Sequence, residues 1–229
     1  MSKISVIIPT LNEEEQIPSL LESLLGIPAV EIVVSDGGST DRTREICSSY
    51  PVTCVFGPPG RGQQLNLGAR NAGGDIFFFL HADSKVESSV FKEIRWSVER
   101  GSRWGCCTLA FDDPSLRYQI LAAVSHLRVK IISSCYGDQG IFCERELFFE
   151  AGGFPGFPFL EDLAFSRVLR RFQKSCSVPA KIVTSSRRFR KHGFWLTLYK
   201  MQLAKLLFSL GMSPERILEI YRGSAGGNL

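Results

Sequence analysis

Five large apolar residues stand in a row at Ile76-Phe77-Phe78-Phe79-Leu80, preceded by Gly74-Asp75 and followed at once by His81-Ala82-Asp83. Such a run is too short for a helix and suits a central parallel strand buried on both faces. At its carboxyl end the chain turns polar and offers an imidazole and a carboxylate separated by one residue. In an open α/β sheet, ligands occupy the crevice beyond the carboxyl ends of the strands. His81 and Asp83 therefore stand where a metal-bound phosphate is expected. The alternative is an ordinary polar loop after a strand.

The chain before this stretch alternates strand and helix patterns. Ile4 to Ile8 reads as a strand ended by Pro9, and Ile17, Leu20, Leu21, Leu24 and Leu25 share a helical face. Asn12 is the candidate N-cap of that helix, with Glu15 as its reciprocal partner. Glu31 to Ser35 is a second strand, running into the turn-rich Asp36-Gly37-Gly38-Ser39-Thr40-Asp41 and a helix to Ser49. Val52 to Phe56 is a third strand, and Arg61 to Gly73 is helical. This order predicts a mostly parallel α/β sheet flanked by helices. Further on, helices are expected at 88–100 and 115–133 and strands at 104–111 and 141–143. Another helix opens at Glu161-Asp162 with Leu163, Phe165, Val168, Leu169 and Phe172 inward.

Parallel strands deliver their carboxyl ends to one edge, so Pro9-Thr10 with Glu13, Asp36, and His81 with Asp83 are predicted to converge. Asp36 can accept hydrogen bonds from a base or ribose, and Asp83 can hold a hard divalent cation. Each also has a local role open to it: Glu13 at a helix start, Asp36 and Asp41 as turn and cap residues. Asp138 and Gln139 sit at a turn before Ile141, where they serve a bound sugar or simply the turn.

The net charge of +4 is too mild to point to nucleic acid. The basic cluster Arg187-Arg188-Phe189-Arg190-Lys191-His192 is a solvated face or a partner for pyrophosphate or an anionic membrane. Seven cysteines without a C-x-x-C pair argue against a disulfide framework or a zinc site and for a reducing cytosol. The start lacks the apolar run and cleavage site of a signal peptide, and no spanning segment is read. The expected setting is cytoplasmic, with the inner face of the membrane as its variant. Phe194 to Leu210 is strongly apolar: a core helix covering the sheet is favoured, and an interfacial membrane helix serving a lipid-linked acceptor is the other reading.

Val6-Ile7-Ile8-Pro9-Thr10-Leu11-Asn12-Glu13-Glu14, then Val33-Val34-Ser35-Asp36-Gly37-Gly38-Ser39-Thr40-Asp41, resembles the opening of family 2 glycosyltransferases. Gly74-Asp75 to His81-Ala82-Asp83 is similar to their Asp-x-Asp region, and Gly152-Gly153-Phe154 with Glu161-Asp162 to their acceptor-half signature. The likeness covers roughly residues 4–172. It implies a GT-A fold acting on a nucleotide-diphosphate sugar, commonly UDP-linked, with inversion at the anomeric carbon. Residues 1–222 would form one domain: 1–100 the donor half, 101–193 the acceptor half, 194–222 C-terminal helices, with 223–229 a loose tail. The resemblance implies that Thr10, Glu13 and Asp36 hold the nucleoside, with Pro9, Arg61 and Asp75 nearby. Asp83 would bind Mg²⁺ or Mn²⁺, and Asp162, or else Glu161, would be the general base. His192 is a candidate further metal ligand or pyrophosphate contact, against an exposed position in a basic loop. His81 departs from the family's first Asp, a softer ligand or none. Two rivals stay open: a nucleotidyltransferase, disfavoured because no Gly-rich basic loop follows the first strand, and a non-catalytic nucleotide-sugar or membrane-binding module.

Overall fold

The computed structural model describes residues 1–223. Its centre is an eight-stranded mixed sheet in the order β3-β2-β1-β4-β7-β6-β8-β5. In chain order the strands are β1 (Ile4–Thr10), β2 (Val30–Asp36), β3 (Thr53–Phe56), β4 (Ile76–Phe79), β5 (Lys85–Val86), β6 (Trp104–Phe111), β7 (Ile141–Glu144) and β8 (Cys176–Thr184). The helices are α1 (Ile17–Leu24), α2 (Thr43–Ser48), α3 (Arg61–Arg70), α4 (Ser89–Glu99), α5 (Leu116–Ile132), α6 (Arg145–Glu150), α7 (Glu161–Leu169), α8 (Arg187–His192), α9 (Phe194–Ser209) and α10 (Pro214–Gly223). The tail expected at 223–229 lies outside the described residues, except Gly223, which closes α10.

The apolar run works by strand alternation. Ile76 and Phe78 enter one core layer with Ile4, Val6 and Ile8, whereas Phe77 and Phe79 enter the other with Ile7. Helices α1 and α4 cover the first layer through Leu20, Leu21, Phe91 and Ile94; α3, α6 and α7 cover the second through Leu65, Phe148 and Phe165. Each such side chain taken from water contributes about 1.5–3 kcal/mol. Phe154 locks the second layer to the loop before α7, its ring 4.2 Å from Phe165 and 4.9 Å from Phe79. Asn66 on α3 holds the Phe154 backbone on both sides, donating to its carbonyl at 2.7 Å and accepting from its N–H at 2.9 Å.

Strand direction decides what reaches the functional edge. β1, β2, β3 and β4 run parallel, so their carboxyl ends share it. β7 is antiparallel to β4, with Phe79 opposite Ile141, so the edge receives the segment entering β7. β6 reverses again, and β8 runs parallel to it with Phe111 opposite Thr184, so both return their carboxyl ends to the same edge.

Three expectations need correction. Asn12 does not cap α1: it is left-handed (φ 56°), its Oδ1 accepts the Thr40 N–H at 2.9 Å, and the helix starts at Ile17 with Pro18 in its first turn. Its amide is spent on the β2–α2 loop. Phe172 lies beyond α7 and is exposed. Helix α9 does not cover the sheet as a core helix. It packs on α8 and α10, and Trp195 and Tyr199 face out.

Candidate active site

The converging ends enclose a cleft of about 350 Å³. From the β1 and β4 side come Pro9, Glu13, His81 and Asp83; from the other side come Asp138, Glu161 and Asp162; Arg61 of α3 lies between. Eight of the thirteen candidate residues therefore line one cavity, although they are spread from residue 9 to residue 162.

Carboxylates crowd the donor side. The Glu13 carboxyl is raised above the ordinary range by burial and then by the nearby Asp83, and Asp83 is raised chiefly by burial. Arg187, the first residue of α8, opposes both shifts and lines the same cleft. Two half-buried acids with raised pKa values bind added positive charge favourably, which suits Asp83 to a hard divalent cation. His81 suits it less. Burial, and then the Arg61 charge, push its pKa down to about 3, so the ring is neutral. Its Nε2 is buried without a hydrogen-bond partner. That nitrogen faces Gly137, where an added Cβ would stand 2.6 Å away. Among the described residues no three His, Cys, Asp or Glu side chains gather as a ready-made metal site. His192 is exposed at the end of α8 and does not line the cleft.

The other side is built on a 3₁₀ turn, Gly137–Gln139, and on the first turn of α7. Asp162 Oδ2 accepts the Gly137 N–H at 2.8 Å and Oδ1 accepts the Leu163 N–H at 2.6 Å, so the carboxylate is oriented by backbone while remaining on the cleft wall. Glu161 is instead buried and paired with Arg61 at 3.1 Å. Asp138 is raised by burial, with Oδ1 lacking a hydrogen-bond partner. Lys205 of α9 faces Asp138 and Asp162, and burial lowers its pKa to about 8, with Arg128 second. Arg128 of α5 and Lys205 stack on the Tyr136 ring at 3.4 and 4.4 Å. No motif marks Arg128 or Lys205. Only their place on the inner side of apolar helices could have flagged them.

Five candidates do not line the cleft. Thr10 is buried and donates from Oγ1 to Asp36 at 3.3 Å. Asp36 is itself engaged by the N–H groups of Gly38 and Ser39, the hydroxyls of Thr10 and Ser39, and Arg44. A bound base would have to displace one of these donors, so Asp36 chiefly shapes its turn. Asp75 is at the opposite edge of the sheet, ahead of β4, where it accepts the Lys3 N–H at 2.8 Å. Its expected place near the nucleotide is wrong because a whole strand separates it from His81. Gln139 is buried with Oε1 turned to Arg128 and the Tyr136 N–H, so it braces the turn and does not line the cleft. His192 is the fifth.

Solved structures share this architecture. Staphylococcus aureus TarS 1–349 in complex with UDP-GlcNAc superposes with a TM-score of 0.67 at 21% identity over 80% of this chain and 58% of that one. Mycobacterium tuberculosis glucosyl-3-phosphoglycerate synthase, in complex with Mn²⁺, UDP and glucosyl-3-phosphoglycerate, gives 0.66 at 21% identity over 92% and 81%. The fold is GT-A. The sequence profile of glycosyl transferase family 2 matches residues 5–122, and the chain belongs to that family. Dolichol-phosphate mannosyltransferase of Pyrococcus furiosus is 34% identical over 109 residues, 44% of this chain and 31% of that protein. An uncharacterized Haemophilus influenzae glycosyltransferase is 25% identical over 193 residues, 78% of this chain and 65% of that protein. The chain thus spans less than two-thirds of the length of these two relatives.

Proposed function

We propose that the cleft transfers a sugar from a nucleotide diphosphate, uridine the favoured base, to an acceptor hydroxyl with inversion. The observation that carries this reading is the meeting of Glu13 and Asp83 with Asp138 and Asp162 around one cavity. The TarS and glucosyl-3-phosphoglycerate synthase complexes that share the fold hold UDP, which supports the choice of base. In this reading the nucleoside lies over Pro9 and the Asp36 turn, and Arg61 and Arg187 face the diphosphate. Asp83 would hold a divalent cation, Mn²⁺ or Mg²⁺, which when bound would neutralise the leaving group.

Asp162 is the proposed base. It takes the proton of the acceptor hydroxyl as that oxygen bonds to the anomeric carbon. The bond from that carbon to the diphosphate oxygen breaks, and the electron pair leaves with the nucleotide. One displacement inverts the centre. Glu161 is the weaker candidate because its carboxylate is committed to Arg61. Asp138 is suited to a sugar hydroxyl, having an unpartnered buried oxygen.

The test is a thermal-shift panel of UDP-, GDP- and TDP-sugars with Mn²⁺, Mg²⁺ or EDTA, followed by turnover of the stabilising donor. A ligand at a hundred times its dissociation constant adds about 2.7 kcal/mol, a shift of a few degrees. Asp162→Asn should lower turnover by about 10²–10⁴-fold and leave the donor shift intact. Undiminished turnover in Asp162→Asn would remove the base assignment. No shift with any donor would remove the nucleotide-sugar reading.

A further inference from the structure

Helices that are apolar all round belong inside a protein or against lipid. Helices α5 and α9 carry large apolar residues beyond the side the protein covers. On α5 the covered side carries Tyr118, Ser125 and Val129. The opposite side carries Leu116 (69% exposed), Ile120, Val124, Leu127 and Ile131, spaced as one continuous stripe. On α9, Phe194, Thr197 and Ala204 are covered, while Trp195 (76% exposed), Tyr199 and Leu206 are open, continued by Leu210 just past the helix.

The two helices lie together. Tyr118 and Phe194 pack with ring centroids 5.2 Å apart near their starts. Arg128 and Lys205, about three turns further along each helix, meet on the same Tyr136 ring. These contacts bring the two helices close at both points, and each leaves an apolar stripe uncovered. Monomeric proteins rarely expose contiguous apolar surface on this scale.

Charge indicates the occupant. Neither helix contains an Asp or Glu, and Lys130 of α5 is exposed; Arg128, Lys200 and Lys205 turn inward. Helix α8 leads into α9 with the exposed Arg190 and Lys191, whereas its Arg187 and Arg188 line the cleft. The nearest acids before α5, Asp112 and Asp113, are tied to Arg190 and Arg117. Apolar stripes with exposed aromatic residues and basic flanks match an anionic lipid surface.

We infer that α5 and α9 together form a docking face for an anionic bilayer, with α8 contacting the headgroups. Because Met201 and Lys205 of α9 line the cleft, docking would bring its acceptor side to the lipid. That last consequence rests on the transfer reading above; the docking face does not.

The experiment is co-sedimentation of the full chain with phosphatidylcholine vesicles, with and without about a third phosphatidylglycerol. Most of the chain should pellet with the anionic vesicles and little with the neutral ones, and added salt should weaken binding. The double substitutions Ile120→Glu/Leu127→Glu and Trp195→Glu/Leu206→Glu should each reduce partitioning by about tenfold or more. These positions are exposed, so urea midpoints and the UDP-sugar thermal shift should stay at wild-type values, which separates loss of docking from loss of the donor site. A chain left in the supernatant with both vesicles overturns the proposal, as does binding unchanged in both variants. A dimer seen by light scattering, dissolved by the same substitutions in a chain that ignores vesicles, would give the face to a second copy and overturn it too.

Discussion

Acid should weaken this fold through one ring. His81 stays neutral down to about pH 3 in the folded chain against an ordinary 6.5, because burial and then Arg61 disfavour its cation. Below 6.5 the unfolded chain takes up a proton that the folded chain refuses, so stability falls as the pH falls. Between about pH 7.5 and about pH 5 this linkage amounts to roughly 2 kcal/mol, growing by ~1.4 kcal/mol per further pH unit. Asp83, Asp138 and Glu161 act in the opposite sense, since burial raises each of them. The share of His81 is isolated with His81→Leu, which keeps the bulk and removes both the titration and the unpartnered Nε2. Urea unfolding in EDTA, followed by circular dichroism at the two pH values, gives four free energies. The wild type should lose about 2 kcal/mol more than the variant on acidification. At the higher pH the variant should match the wild type or exceed it by about 1 kcal/mol, because an unsatisfied buried acceptor is gone. Parallel pH dependences would refute the placement of a neutral, buried imidazole at this strand end.

Two further outcomes follow from the geometry. Asp75→Ala removes the acceptor of the Lys3 N–H at the far edge of the sheet, so donor binding and turnover should be unchanged, with at most about 1 kcal/mol lost in a urea titration; a tenfold loss of donor affinity would put Asp75 back at the nucleotide. Gly105→Ala should cost about 3 kcal/mol, since the new Cβ would stand 2.1 Å from the Cys176 carbonyl oxygen and 2.8 Å from the Phe142 ring. A wild-type urea midpoint would contradict so close an approach of β6 and β8.

The donor side was legible because parallel strands impose a rule: whatever follows each strand reaches one edge, so Glu13 and Asp83 could be placed without contacts. Asp75 escaped that rule by preceding its strand. Strand β8 went unread for a local reason. Its register with β6 jumps from Cys107 opposite Val178 to Thr108 opposite Lys181, leaving Pro179 and Ala180 as an irregularity. A proline bulge breaks the alternation that marks a strand. Asp36 and Gln139 had the right chemistry for ligands, but their oxygens are taken by local donors, which composition cannot reveal. Lys205 and Arg128 reach the cleft through packing of helices distant in sequence, and no spacing rule connects residues 128, 136 and 205.

The antiparallel pairing of β7 with β4 has a mechanical consequence. Phe79 and Ile141 stand opposite each other in one hydrogen-bonded ladder, about 5 Å apart. The arms that carry Asp83 and Asp138 therefore grow from a common rigid frame, and no hinge runs between them. Their separation cannot be tuned by swinging two lobes, as in proteins that clamp a ligand. Substrate entry and release are then expected from movement at the rim, in α8, while the distance between the Asp83 and Asp138 arms is held by the sheet. Hydrogen exchange should record this as slow amides at Phe77 to Phe79 and Ile141 to Cys143, bordered by faster ones in α8.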